Sequence, residues 1–363
     1  MDAVSSIRPT RTNRADCAAD PSTRIKLIID QLFEAQNAML YFVRSNTDFQ
    51  VHTKPPPTGT IYPEIVLGDQ VMKLVDQRKS GTSYKFASVS VILPSLLKSN
   101  LQKAVRRRAV AAAYASMKHL LAQDANELLR RLPVIMCEDT QLHPRLFMEV
   151  VWLMAAVSKG YALTFEDAQI VTDCVSACLS APAQYNLAVD VTKQPRPDQD
   201  PLFLAFSLRI AYGGMKSDME FLGRLQNRAV AGELPLHTCN FEPVAYMSIP
   251  PFSLDAHLLS EAVDFHCFPK MIEVTGVAKK AIWFHRSAPN VRPYTGIGAK
   301  EAFEVEEAGK VAHPFDKHDE EAVEDFVAQT LGRLKGRPAT VVAVKPKQMR
   351  LTGFVIRSSA SLA

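Results

Sequence analysis

The sequence predicts a mainly α protein, a multi-helix bundle with a small C-terminal β-hairpin or strand pair. From Val91 to about Leu187, apolar residues recur at spacings of three and four among good helix formers, as in LKSNLQKAVRRRAVAAAYASMKHLL and FMEVVWLMAAVSKGY. Cap-forming residues and prolines divide that stretch into at least four consecutive helices. The convincing strand pattern falls between Arg337 and Arg357, where ATVVAVK and RLTGFVI flank a turn at Pro346-Lys347.

Taken in order, residues 1–22 read as a flexible tail. Arg8, Arg11 and Arg14 suggest a transit peptide, but Asp2, Asp16 and Asp20 argue against one. An N-terminal helical and loop region, 23–90, opens with an amphipathic helix over Thr23 to Val43. Lys54-Pro55-Pro56-Pro57-Thr58-Gly59 then forces a loop, because proline lacks the amide donor a helix needs.

In the central helical domain, 91–190, Asp124 caps a helix that starts at Ala125 and runs to Glu138, with a kink expected at Pro133. His143-Pro144 opens the next helix, and Thr164 with Asp167 forms a capping box for FEDAQIVTDCVSACL. Pro182 to Pro201 is a polar connection. A second helical region, 201–290, breaks at Gly213-Gly214 and contains a further helix over Phe252 to His266.

The last segment, 301–363, divides by charge. Ten acids lie between Glu301 and Asp325, whereas the final 38 residues carry Arg333, Lys335, Arg337, Lys345, Lys347, Arg350 and Arg357 and no carboxylate side chain. Such a tail favours phosphates or an acidic partner, and it also has the acidic block at hand to neutralise it.

The segment LLRRLPVIMCEDTQLHP, Leu128 to Pro144, holds the most specific charge pattern. At 3.6 residues per turn, Leu128, Leu132 and Ile135 form an apolar stripe whose next position is Asp139, so that carboxylate points inward. An unpaired buried carboxylate costs several kcal/mol, so the sequence demands a guanidinium beside it. Arg131 is the expected partner in a structural ion pair with Asp139, and Arg106, Arg107 and Arg108 of the preceding helix are the other candidates.

KAVRRR, AAAYASMKHLL and ELLRRLPVIMCEDTQLHP together resemble the helical C-terminal collar of clamp-loader-like, replication-associated recombination ATPases. The resemblance covers roughly Lys103 to Pro182 and extends weakly over Leu202 to Lys270. It matches Arg130, Arg131, Glu138 and Asp139 to the collar's Arg-Arg-Leu and acidic-pair segment, and Asp264 and His266 to a later Asp-x-His motif. No G-x-x-x-x-G-K-[ST] pattern occurs, and Gly213-Gly214-Met215-Lys216-Ser217 has the residue types at the wrong spacing. The resemblance therefore implies a collar-like assembly domain without its ATPase core, one that oligomerises and contacts the replication machinery.

Composition excludes other classes. The 363 residues are 47% hydrophobic and 22% charged with a net charge of +4, an ordinary globular balance, and no apolar run reaches a membrane span's length. Six cysteines without a secretory signal point to reduced thiols and an intracellular, cytoplasmic or nuclear location.

Several residue groups are candidates for chemistry. His237 and Cys239 with Asp264, His266 and Cys267 offer zinc-type donors, but the spacing matches no zinc signature, and packed thiols are the expectation; no metal or cofactor is assigned. Cys174 and Cys178 share a helix face as buried apolar groups. Lys103, Arg106, Arg107, Arg108 and Lys118 form a basic helical surface that Tyr114, Tyr161 and Tyr212 can supplement by stacking. In Arg209 to Asp218, Gly213 and Gly214 would let backbone approach a phosphate that Lys216 neutralises.

The leading expectation is a non-enzymatic protein of DNA replication, recombination or repair. It would bind nucleic acid, DNA before RNA, or a replication partner, through Lys103, Arg106, Arg107, Arg108, Lys216, Lys345, Lys347 and Arg350. A second is an enzyme on nucleic acid or nucleotides using Glu138, Asp139, Asp264 and His266 as acid-base groups. A third is a structural protein that forms homo-oligomers through its acidic block and basic tail.

Overall fold

The computed structural model describes residues 39–67, 70–78, 81–181, 200–234, 236, 240–264, 267–277, 279–282 and 317–335. The first strand, β1 (Met39–Arg44), is followed by β2 (Phe49–His52), β3 (Thr60–Ile61), β4 (Ile65–Leu67) and β5 (Gln70–Asp76). β1 and β5 run parallel at the centre, Met39 opposite Val71, with β2 antiparallel on β1 and with β3 and β4 antiparallel on β5. The expected helix over Thr23 to Val43 is thus a strand where it is described, from residue 39 onward. MLYFV is buried on both faces of the sheet, and a continuous apolar run carries no period to separate strand from helix.

The fold is mainly helical, with its sheet at the N-terminal side; the expected C-terminal strand pair, 337–357, lies outside the described residues. Five helices follow the sheet: α1 (Pro94–Arg106), α2 (Val110–Gln123), α3 (Ala125–Asp139), α4 (Pro144–Ser158) and α5 (Phe165–Ser180). Then come α6 (Pro201–Ala211) and α7 (Lys216–Val230), separated by the Gly213-Gly214 break.

The punctuation is as the sequence writes it. The Asp124 carboxylate accepts from Glu127 N at the start of α3, and Thr164 and Asp167 form a reciprocal capping box on α5. Pro144 and Pro201 stand at helix starts, where a missing amide costs nothing. α3 continues as one helix through Pro133. One core runs from Leu40, Phe42 and Leu74 of the sheet through α1–α7.

The expected helix over Phe252 to His266 is broken. Among its described residues, only α8 (Leu254–His257) and a 3-10 turn, Ser260–Ala262, form there. The Asn100 side chain explains it, donating to His257 O at 2.9 Å and accepting from Leu259 N at 2.8 Å, so a side chain of α1 replaces the helical ladder. Beyond it, α9 (Pro269–Thr275), α10 (Lys279–Ile282) and α11 (Lys317–Lys335) build a second core around Leu96, Ile272, Ile282 and Phe326.

A fully buried arginine ties sheet to helices. Arg44, the last residue of β1, donates Nε to Glu149 on α4 at 2.6 Å and Nη2 to Asp167 on α5 at 2.9 Å. Its guanidinium carbon lies 4.8 Å from the Trp152 ring, whose Nε1 donates to Phe42 O. Arg78 joins Asp76 to Asp167, and the Tyr161 hydroxyl donates to Asp167 at 2.6 Å. Burial works upward on the Asp167 carboxyl, but Arg44, the Tyr161 hydroxyl and the Thr164 amide outweigh it and hold the group below the usual range.

A carboxyl depressed in the folded state contributes stability that is complete above the unfolded value, about 3.9, and is lost as pH falls through the folded one. Asp167→Asn is expected to flatten the acid limb of a plot of urea midpoint against pH below about pH 4. Arg44→Met, which strands the acids, is expected to cost about 3–5 kcal/mol at neutral pH. An unchanged acid limb in Asp167→Asn, or a loss under about 1 kcal/mol in Arg44→Met, contradicts this account of the hub.

Candidate functional site

α1 is amphipathic, and Ser95, Lys98, Ser99, Gln102, Lys103 and Arg106 repeat at three and four along its polar face. That face meets the polar side of α3, the α6–α7 turn and the segment at Asp264 and Cys267, enclosing a cleft of about 590 Å³. Its walls carry six cations, Lys98, Lys103, Arg106, Arg130, Arg131 and Arg209, against four carboxylates, Glu127, Glu138, Asp218 and Asp264.

Asp139 is 7% exposed, inward as its stripe requires. Its partner is Arg106, whose Nε donates to Oδ1 at 2.5 Å, with Gln102 donating to Oδ2 at 2.9 Å. The expected Arg131–Asp139 pair is replaced: Arg131 binds Asp218 on α7 at 2.8 Å, donates to the Gln102 side-chain oxygen, and lies 3.9 Å from Glu138. α1 comes in beside the end of α3, so its arginine reaches the acid first.

Glu138 sits at the cleft wall with 41% of its side chain open, 3.7 Å from Arg106. The protein packed around it and, next, Asp139 raise its carboxyl, against the pull of Arg106 and Arg131. Deeper, Lys103 binds Asp264 at 2.9 Å, and Ser99 donates to the same oxygen at 3.0 Å. The Cys267 thiol points at the other Asp264 oxygen, 3.5 Å away, and burial followed by that carboxylate pushes it up to about 12, so it is an inert thiol.

The basic surface expected on α1 is mostly internal. Lys103 and Arg106 are buried in ion pairs, and Arg107 binds Glu261 at 3.3 Å. Arg108, at φ +57°, donates to Cys178 O and Ala181 O and so closes the last turn of α5. Asp264 and Glu261, some 160 residues later in sequence, answer Lys103 and Arg107. Lys118 donates to Ile249 O over the Tyr246 ring. The tyrosines expected as stacking platforms bond Ser176, Asp167 and Ser158 instead: Tyr114, Tyr161 and Tyr212 respectively.

Lys216 stands exposed at the start of α7, 3.4 Å from Glu220. His266, His237, Cys239, Lys345, Lys347 and Arg350 lie outside the described residues. Glu138 and Asp264 do share the cleft, but the Asp264 oxygens are committed to Lys103, Ser99 and Cys267, which marks it as structural. Cys174 and Cys178 are buried, and among the described residues no cluster of three or more His, Cys, Asp or Glu is placed to hold a metal ion. Nor, among them, is any helix long and apolar enough to cross a membrane.

Sequence reasoning missed Lys98, Glu127 and Gln102 as lining groups, although the repeat at 95, 98, 99, 102, 103 and 106 announces one polar face. Comparison of the chain with family models, with curated proteins and with solved structures finds no match.

Two ion pairs here differ in burial, and their removal is expected to differ accordingly. Asp264→Asn strands the buried Lys103 and is expected to lower unfolding free energy by about 3 kcal/mol or more. Glu127→Gln breaks the half-open pair with Lys98 and is expected to cost under about 1 kcal/mol. Equal losses in urea denaturation contradict the burial assigned to these pairs.

Proposed function

We propose that the protein is a non-enzymatic, collar-like helical module of nucleic-acid metabolism, in DNA replication, recombination or repair, that engages a nucleic-acid strand at this cleft. The observation that carries the reading is Arg209, a buried cation lining the cleft with no carboxylate within ion-pair distance among the described residues, where six wall cations face the four wall carboxylates and Asp139. Arg106 is answered by Asp139, Arg131 by Asp218, Lys103 by Asp264 and Lys98 by Glu127. The guanidinium of Arg209 is left with backbone carbonyls as its oxygen partners.

The likeness of Lys103 to Pro182 to the clamp-loader collar supports the same reading. In it, the Arg-Arg and Glu-Asp pairs of α3 serve to lock helices together and the strand is met by other cations. The basic tail, Lys345, Lys347 and Arg350, adds phosphate contacts, and a replication protein or a second copy of the chain is the expected macromolecular company.

Each phosphate neutralised releases condensed counter-ions, so log affinity for single-stranded DNA falls with log salt by about 0.7 per contact. Two contacts from Arg209 and Lys216 set a slope near about −1.4, and tail contacts steepen it. Fluorescence anisotropy with a labelled DNA strand is expected to show that dependence. No binding at about 50 mM salt, or salt-insensitive binding, contradicts the reading.

A further inference from the structure

Of the four carboxylates on the cleft wall, three are bound by a cation at hydrogen-bond distance: Glu127 by Lys98, Asp218 by Arg131 at 2.8 Å and Asp264 by Lys103 at 2.9 Å. Glu138 is different. The cations in reach of it, Arg106 and Arg131, stand 3.7 and 3.9 Å away, and its hydrogen bond comes from Gln102, whose Nε2 donates to Oε2 at 2.9 Å. Among the described residues Oε1 receives no hydrogen bond, and 41% of the side chain is open.

The position of that carboxylate is fixed. Gln102 donates through the same Nε2 to Asp139 Oδ2 at 2.9 Å, and its side-chain oxygen accepts from Arg131, so the amide has one orientation. Asp139 is held in turn by Arg106. Glu138 therefore offers the cleft an acceptor that is already oriented, which spares a ligand the cost of ordering it. A carboxylate has about four acceptor sites, and Gln102 uses one of them.

We propose that Glu138 reads guanine, its carboxylate accepting from N1–H and the N2 amino group of a guanine held in the cleft, so that the protein selects single-stranded segments containing that base. The inference rests on the reading of the cleft as a nucleic-acid site and names the base the site selects. The Watson–Crick edge of guanine carries two adjacent donors, which match the two oxygens of one carboxylate. Cytosine and adenine set a ring-nitrogen acceptor beside their amino group, and its lone pair faces the carboxylate unfavourably. Thymine has a single N–H between two carbonyl oxygens.

A paired guanine already spends these donors on cytosine, so the base is read from a single strand. A phosphate brought to the same point is repelled, so the strand turns a base and not its backbone towards Glu138. The cleft, at about 590 Å³, is of the size that encloses a small ligand, and a single nucleotide unit fits that description.

The test uses the full chain and labelled oligothymidine strands carrying one central guanine, hypoxanthine, adenine or cytosine, beside an all-thymidine strand. Titrations are run at about pH 8, well above the carboxylate range. Fluorescence anisotropy is expected to show the guanine strand binding about tenfold more tightly than the all-thymidine strand. Hypoxanthine, which lacks the N2 amino group, is expected to lose most of that gain, and adenine and cytosine all of it. Glu138→Gln is expected to abolish the guanine preference and, by removing a negative charge, to tighten the all-thymidine strand. The hypoxanthine comparison needs no variant, so the proposal is tested even where Glu138→Gln fails to fold.

Equal affinity for the guanine and all-thymidine strands overturns the proposal and leaves the nucleic-acid reading standing. So does a preference that hypoxanthine keeps in full, or one that survives in a folded Glu138→Gln protein. Binding of none of the strands overturns both.

Discussion

The contact between Arg106 and Asp139 is the constraint on which the cleft depends. Asp139 ends α3 on an apolar stripe, and burial there is tolerable only with a guanidinium and further donors at hand. Arg106, at the end of α1, supplies the charge and Gln102 the second donor. Once α1 is fixed against α3 in this register, its polar face looks across at Glu127, Arg131 and Glu138, and the cleft follows.

Matching then proceeds outward from that pair. Gln102 links both acids of α3 to Arg131, and Arg131 reaches α7 through Asp218, so three helices share one hydrogen-bonded network. Lys103 and Asp264 bring in the segment after the 3-10 turn. Arg209 is held by backbone carbonyls of α3 and the α6–α7 turn, with no carboxylate within ion-pair distance among the described residues.

Local signals were legible in the sequence and distant ones were not. The Asp124 cap, the Thr164–Asp167 box, the break at Gly213-Gly214 and the inward turn of Asp139 each follow from a few neighbouring residues. The sequence of β1 suggests helix because MLYFV is apolar on both faces, which erases the period. The Arg44 hub joins residues 105 and 123 positions apart, and nothing near Arg44 names Glu149 or Asp167. Likewise, helical spacing places Lys103 on α1 and Arg107 at its C-terminal end but cannot say that Asp264 and Glu261 will meet them.

The most direct test of this account is a double-mutant cycle on Arg106→Leu and Asp139→Leu, read from urea denaturation. The account predicts that each single change strands a buried charge and costs about 3 kcal/mol or more, while the double change restores a large part, giving a coupling above about 2 kcal/mol. Losses that add to within about 0.5 kcal/mol would show that the two side chains do not answer each other, and the register of α1 on α3 would need another cause.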